Sequence, residues 1–312
     1  MQPTVAQSAV NNLAQFGFYL MGDTPYSSLE DLILRDQIQN MTLSRREGTI
    51  FAVHVGDFQV ASRSGCNDAA YTNVFTRLQQ GPLPTFVLAG DNDFYDCTNP
   101  EEAWQRYTRS FVGYEDQWAN RLPPGVPRLG VTRWSQHQEM FAFEHNGILF
   151  LSVNLVNGKP TEAAALEKWN ARMSANIEWV ETNVHEHFAT GRIRGVIIFG
   201  HALRSPDTRI FFTSIAALFV NDPRRKFTPV LYLHGDGHQW QVDTRLASQL
   251  DWDAYRDVQV EQGGKAEPCI VEIAPLVNGV TSPLTVEHDL QHVFGNGLFR
   301  IDRQGGSYPG SA

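Results

Sequence analysis

Five short turns, each opening on glycine and reaching aspartate or histidine, follow directly on apolar runs. They constrain the fold more than any other feature of the chain. They are Gly22-Asp23 after FGFYLM, Gly56-Asp57 after IFAVHV, Gly90-Asp91 after TFVLA, Gly200-His201 after GVIIF, and Gly235-Asp236-Gly237-His238 after VLYLH. Short apolar runs bounded by turn residues read as buried strands. In an open α/β sheet, ligands gather outside the carboxyl ends of the strands. Five polar groups at such ends can therefore meet at one place, and carboxylates meeting imidazoles point to a metal site. Gly-Asp dipeptides are also ordinary turn chemistry, which accounts for two or three such endings more readily than for five.

Between the turns the first half alternates strand with helix. SSLEDLILRDQIQNM, NDAAYTNVFTRLQQ and the segment from Pro100 carry apolar residues at helical spacing, the last with proline in its first turn. This βαβαβα order implies a parallel sheet with right-handed crossovers. Residues 113–138 show no period and read as a long surface loop at the edge of the site. EMFAFEHNGILFLSVNL reads as a hairpin closed by Asn146-Gly147. Leu166, Trp169, Met173, Ile177 and Val180 mark a long helix over 161–188. A further helix is expected near 208–220. After His238 the chain turns mostly β, in HQWQVDT, CIVEIAP, LTVEHD and GLFRID. No linker interrupts this order. Residues 1–302 are read as one domain on two packed sheets, and 303–312 as a flexible tail.

At 312 residues with 42% hydrophobic content and seven tryptophans, the chain can bury a large core. No apolar run reaches the ~18 residues of a membrane span. A net charge of −9 argues against a nucleic-acid backbone as partner. It leaves a small phosphorylated substrate open, because a metal can supply local positive charge. The sequence does not fix the oligomeric state. Cys66 and Cys97 each follow a carboxyl-end turn, so a disulfide stapling two site loops is expected, with two free thiols as the alternative. Such a bond favours an extracytoplasmic or secreted location. Cys269, within CIVEIA, reads as a buried hydrophobe.

In order and strand context, the five turns resemble the motif blocks of the calcineurin-like metallophosphoesterase superfamily: D-x-H, G-D-x-x-D/N, G-N-H-D/E, G-H and G-H-x-H. The resemblance spans roughly residues 16–242. It implies an α/β fold, a four-layer αββα sandwich of two mixed β-sheets flanked by helices, and two divalent metal ions bridged by an aspartate. Asp23 matches the aspartate of the first block, but Pro25 stands at its histidine. Asp57 matches the bridging aspartate. In Gly90-Asp91-Asn92-Asp93, Asp91 replaces a metal-binding asparagine, and Asn92 replaces the histidine that helps protonate the leaving group. His201 matches the fourth block. Asp236 takes a histidine position in the fifth, where His238 matches.

The implied metal set is therefore Asp23, Asp57, Asp91, His201, Asp236 and His238. It is richer in oxygen than the family pattern. Oxygen-rich sets suit Mn, Mg or Ca, and the two histidines keep Fe and Zn open. Tyr26, three residues after Asp23, is placed to reach metal or substrate. His54 is a candidate to fill the vacancy at Pro25, and His234 to replace Asn92 as the acid. Each is also readable as an ordinary turn tyrosine or strand histidine. Two functions follow. One is a phosphomonoesterase or phosphodiesterase using a metal-bound hydroxide. The other is a non-catalytic protein of this fold that binds metal or ligand.

Overall fold

β1 (Phe16–Met21), β2 (Thr49–His54) and β3 (Thr85–Val87) are buried along their whole length. Strands covered on both faces behave so. The computed structural model, which describes residues 12–60 and 66–308, shows what covers them. Along β1, Phe16, Phe18 and Leu20 enter one core while Tyr19 and Met21 enter the other. This is the two-residue alternation of a pleated strand. The outer face packs against α1 (Ser28–Leu43), α2 (Asp68–Gln79) and α3 (Pro100–Phe111). Local chemistry fixes where these helices begin. The side chains of Ser27, Asn67 and Asn99 each accept a backbone N–H of the first turn, and Pro100 takes a position that needs no donor.

The second sheet is built from β4 (Thr132–Trp134), β5 (His137–His145), β6 (Ile148–Ser152), β7 (Gly195–Phe199), β8 (Val230–His234), β9 (Gln241–Asp243) and β10 (Tyr255–Gln259). Helices α4 (Ala163–Phe188) and α5 (Arg209–Val220) cross between β6, β7 and β8, and the short α6 (Arg245–Gln249) precedes β10. The chain then returns to the first sheet through β11 (Cys269–Ile273), a small β12 (Leu276–Val277) and β13 (Val280–Thr281) hairpin, β14 (Gln291–Phe294) and β15 (Phe299–Asp302). The sheet orders are β14-β15-β11-β1-β2-β3 and β4-β5-β6-β7-β8-β10-β9. Both sheets are mixed. β1–β3 run parallel in one and β6, β7, β8 and β10 in the other.

Phenylalanines join the inner faces. Phe86 stacks on Phe141 with centroids 4.4 Å apart, and Phe51 meets Phe143 edge-on at 5.5 Å. The result is the expected layering of helices, sheet, sheet and helices. It aligns the carboxyl ends of β1, β2, β3, β7 and β8 along one rim.

Three expectations need correction. Residues 113–138 are not a site-edging loop. Tyr114 and Trp118 are buried, the Trp118 indole donates to the Gly81 carbonyl, and 132–134 form β4. Pro124–Val126 lie beside Thr49 and Ile50, at the amino end of β2, opposite the glycine turns. LTVEHD forms no strand: residues 284–289 join no ladder, and Val286 is exposed. Residues 303–308 are held against the body of the fold. Arg303 and Ser307 bond Glu261, and the Tyr308 hydroxyl bonds Glu267. Residues 309–312 lie outside the described residues.

Candidate metal centre

At two of the turns a glycine is required because a carboxylate occupies the space a side chain would need. A Cβ on Gly90 would fall onto the Asp57 carboxylate, and one on Gly235 onto that of Asp23. Gly56, at φ +98°, also presses against Gly90. The residues that follow are held in an uncommon conformation. Asp23, Asp57, Asp236 and His238 all have φ between 54° and 71°. Such left-handed placements cost on the order of 1–3 kcal/mol each, and cluster where function requires them.

These turns bring six expected residues together. His201 Nε2 lies 3.3 Å from Asp57 Oδ1, 3.2 Å from Asp91 Oδ1 and 4.0 Å from Asp236 Oδ1. On the other side, the Tyr26 hydroxyl lies 3.3 Å from Asp23 Oδ1, 3.1 Å from Asp57 Oδ2 and 3.2 Å from His238 Nε2. His238 Nε2 is 3.5 Å from Asp23 Oδ1. Asp57 thus presents one oxygen to each group. Ligands about 2.1 Å from a shared ion, at tetrahedral or octahedral angles, sit roughly 3.0–3.4 Å from one another. Most of the separations fall in or next to that range.

The chemistry of His201 also fits a cation. Its Nδ1 meets the Val55 carbonyl at 2.8 Å, which fixes Nδ1 as the protonated nitrogen. Nε2 is buried, lacks a hydrogen-bond partner and faces carboxylates. Burial opposes charge on this ring, yet Asp57 and Asp91 outweigh it and hold its pKa well above the ordinary histidine value. Burial likewise raises Asp23 to about 7, with His201 opposing and Asp57 and Asp236 adding to the rise.

Asn92 belongs to the centre. Its amide Nδ2 donates to Asp57 Oδ2 at 2.8 Å, and its backbone N–H donates to Asp57 Oδ1 at 3.0 Å. It sits in a single wide turn, Asp91–Tyr95, closed by Asp96 N–H to the Asp91 carbonyl. Such turns recur at functional sites. Cys66 and Cys97 are bonded behind it, with Cα atoms 6.0 Å apart.

Two expected residues are elsewhere. His54 is buried below the centre. One ring nitrogen meets the Thr24 carbonyl at 2.8 Å and the other accepts the Gly56 N–H. No lone pair remains for a metal, and burial lowers its pKa to about 4. His234 points away, with Nε2 2.8 Å from Asp257 and Nδ1 2.9 Å from the Gly235 carbonyl. It is a satisfied strand histidine and not an acid at the centre.

Sequence reasoning missed three contributors. Asp93 accepts backbone N–H groups from Asp57, Phe58 and Gly90 at 2.7–2.9 Å, locking two ligand turns together. Its signal was its place in the Gly90–Asp93 block. Asn157 donates to Asp236 Oδ2, and Ser205 donates to Asn157 Oδ1 at 3.2 Å. Asn157 lies beyond the carboxyl end of β6, but no glycine turn announces it.

A scan against protein-family models gives no match to this chain, and a search of curated proteins gives none. Solved structures do resemble it. One is described as "GAP50 the anchor in the inner membrane complex of Plasmodium", at 14% identity and TM-score 0.47, covering 83% of this chain and 81% of that one. Another is the Thermus thermophilus sulfate thiohydrolase SoxB in complex with glycerol, at 10% identity and TM-score 0.41. That match covers 92% of this chain and 44% of the other. Likenesses this remote leave the centre to be read from its own residues.

Proposed function

We propose that the chain is a divergent member of the calcineurin-like metallophosphoesterase superfamily and hydrolyses phosphoric esters at a dinuclear metal centre. The carrying observation is Asp57, whose two oxygens face separate groups of ligand atoms. One ion would be held by Asp57, Asp91, His201 and Asp236, and the other by Asp23, Asp57, His238 and Tyr26. Two such divalent ions supply Lewis acidity toward a phosphoryl oxygen and a nucleophile at neutral pH. The chain's own residues do the rest. Asp93 fixes the Asp57 and Gly90 turns, Asn157 orients Asp236, and Asn92 offers an amide N–H near the bridge. Mn, Mg, Ca, Fe and Zn are all candidates for this mixed oxygen and nitrogen set. The substrate is a small phosphorylated molecule. Among the described residues, no helix is long and apolar enough to cross a membrane. The Cys66–Cys97 bond is compatible with an extracytoplasmic place of work.

One observation favours a second reading, a protein of this fold that binds metal or ligand without turnover. Asn92 cannot donate a proton as an acid does, and His234 is engaged elsewhere. Chelated protein reconstituted with each divalent ion and assayed on an aryl phosphate ester separates the two. Metal-dependent turnover supports the esterase. Bound metal with no turnover of any ester supports the binding protein.

A further inference from the structure

Resting on the phosphoesterase reading, we infer that the centre selects singly charged phosphoric diesters over doubly charged monoesters. The argument is one of charge. Two divalent ions bring four positive charges, and Asp23, Asp57, Asp91 and Asp236 bring four negative ones. His201 and His238 act as neutral ligands and Tyr26 as a neutral phenol. In the family pattern, positions 91 and 236 are asparagine and histidine, and two positive charges remain to meet a phosphate dianion. Here both positions are carboxylates, and that surplus is gone.

Among the described residues, nothing nearby restores it. Asp96, whose backbone N–H closes the Asp91 turn, adds a further carboxylate beside the centre. Arg204, the cation closest in sequence to His201, pairs with Asp243. Arg172 lies over the rings of Phe94, Tyr95 and Trp169, 5.0–5.5 Å from their centroids. Lys159, on the rim loop, is exposed, where solvent screens its charge. Among the described residues, the rim therefore offers neutral donors: Asn92, Tyr26 and Ser205.

A phosphate monoester carries about −1.5 to −2 at pH 7, and a diester carries one charge. A like charge within ~4–6 Å shifts an equilibrium by about tenfold or more. The buried Nε2 of His201, unpartnered and aimed among the carboxylates, is the independent sign that a cation belongs there. The carboxylates are thus part of a ligand site and not a solvated patch.

The test uses the full chain reconstituted with Mn²⁺ and two esters with the same leaving group, p-nitrophenyl phosphate and methyl p-nitrophenyl phosphate. Expected is a kcat/KM for the diester about tenfold or more above that for the monoester. Asp91→Asn and Asp236→His should each narrow this ratio. Calorimetric titration with inorganic phosphate and with dimethyl phosphate, whose methoxide leaving groups depart slowest, reads binding apart from turnover. Each substitution should strengthen phosphate binding about tenfold relative to the diester. A monoester preference in the wild type, or ratios unmoved in both variants, overturns the inference and leaves the phosphoesterase reading standing. If neither ester is turned over, that reading fails, and the two binding affinities alone decide the charge preference.

Discussion

The side-chain amide of Asn92 donates to Asp57 Oδ2 at 2.8 Å, where the resembled family carries a histidine. An amide can orient a carboxylate or a phosphoryl oxygen, but it releases no proton at working pH. His234 cannot stand in, because Asp257 and the Gly235 carbonyl hold both of its nitrogens. Turnover should therefore fall steeply with leaving-group pKa. A positioned acid is worth ~10²–10⁴-fold, so simple alkyl esters should lag aryl esters by that additional factor. Asn92→His should recover part of the loss for alkyl esters and gain little for aryl ones. Rates across a leaving-group series check this, and a flat dependence means another acid serves.

In metal-free protein the crowded carboxylates should destabilise the fold. Asp23 is raised to about 7 when folded, against about 3.9 in an unfolded chain. Between these values the native state binds a proton that the unfolded state lacks, so stability falls as pH rises through the window. The full cost above pH 7 is about 4 kcal/mol. His54, lowered to about 4 by burial, acts oppositely, and its contribution is lost as pH falls from about 6.5. Comparing wild type with Asp23→Asn cancels the His54 effect. Metal-free Asp23→Asn should melt above metal-free wild type at pH 8, and the gap should close toward pH 4. A constant gap across that range contradicts the raised carboxyl.

The Cys66–Cys97 bond closes a loop of sequence separation 31 and braces the turn that carries Asp91 and Asn92. Cross-links of this span contribute about 2–4 kcal/mol. Cys66→Ser with Cys97→Ser should lower the melting temperature accordingly. It should also weaken metal binding beyond what the lost stability explains, because Asp91 is then less constrained. Thiol titration under denaturing, non-reducing conditions should find one thiol, Cys269. Three thiols would contradict the bond.

The fold was legible where one physical signal dominated. Apolar runs ending in Gly-Asp gave β1, β2 and β3, and Asn146-Gly147 marked the β5–β6 turn, where both residues have positive φ. Asp91 and Asp236 stood out in the sequence because Gly90 and Gly235, which precede them, are crowded against carboxylates and so mark their turns. What failed depended on tertiary partners. His54 and Asp57 lie three residues apart, yet one ring is taken up by the Thr24 carbonyl and the other side chain faces the centre. No local pattern separates them. Asn157 joins Asp236 from 79 positions away, through a loop with no periodicity of its own. β10 was missed because YRDVQ lacks an apolar alternation, and Asp257 is buried there only by pairing with His234.

The most direct test of the central claim is metal stoichiometry in wild type and Asp57→Asn. Protein is stripped with chelator, dialysed against each divalent ion in turn, and measured by elemental mass spectrometry. A centre bridged by Asp57 predicts two ions per wild-type chain for at least one metal, with both weakened in Asp57→Asn. No retained ion with any metal, or two ions held equally by Asp57→Asn, would contradict it.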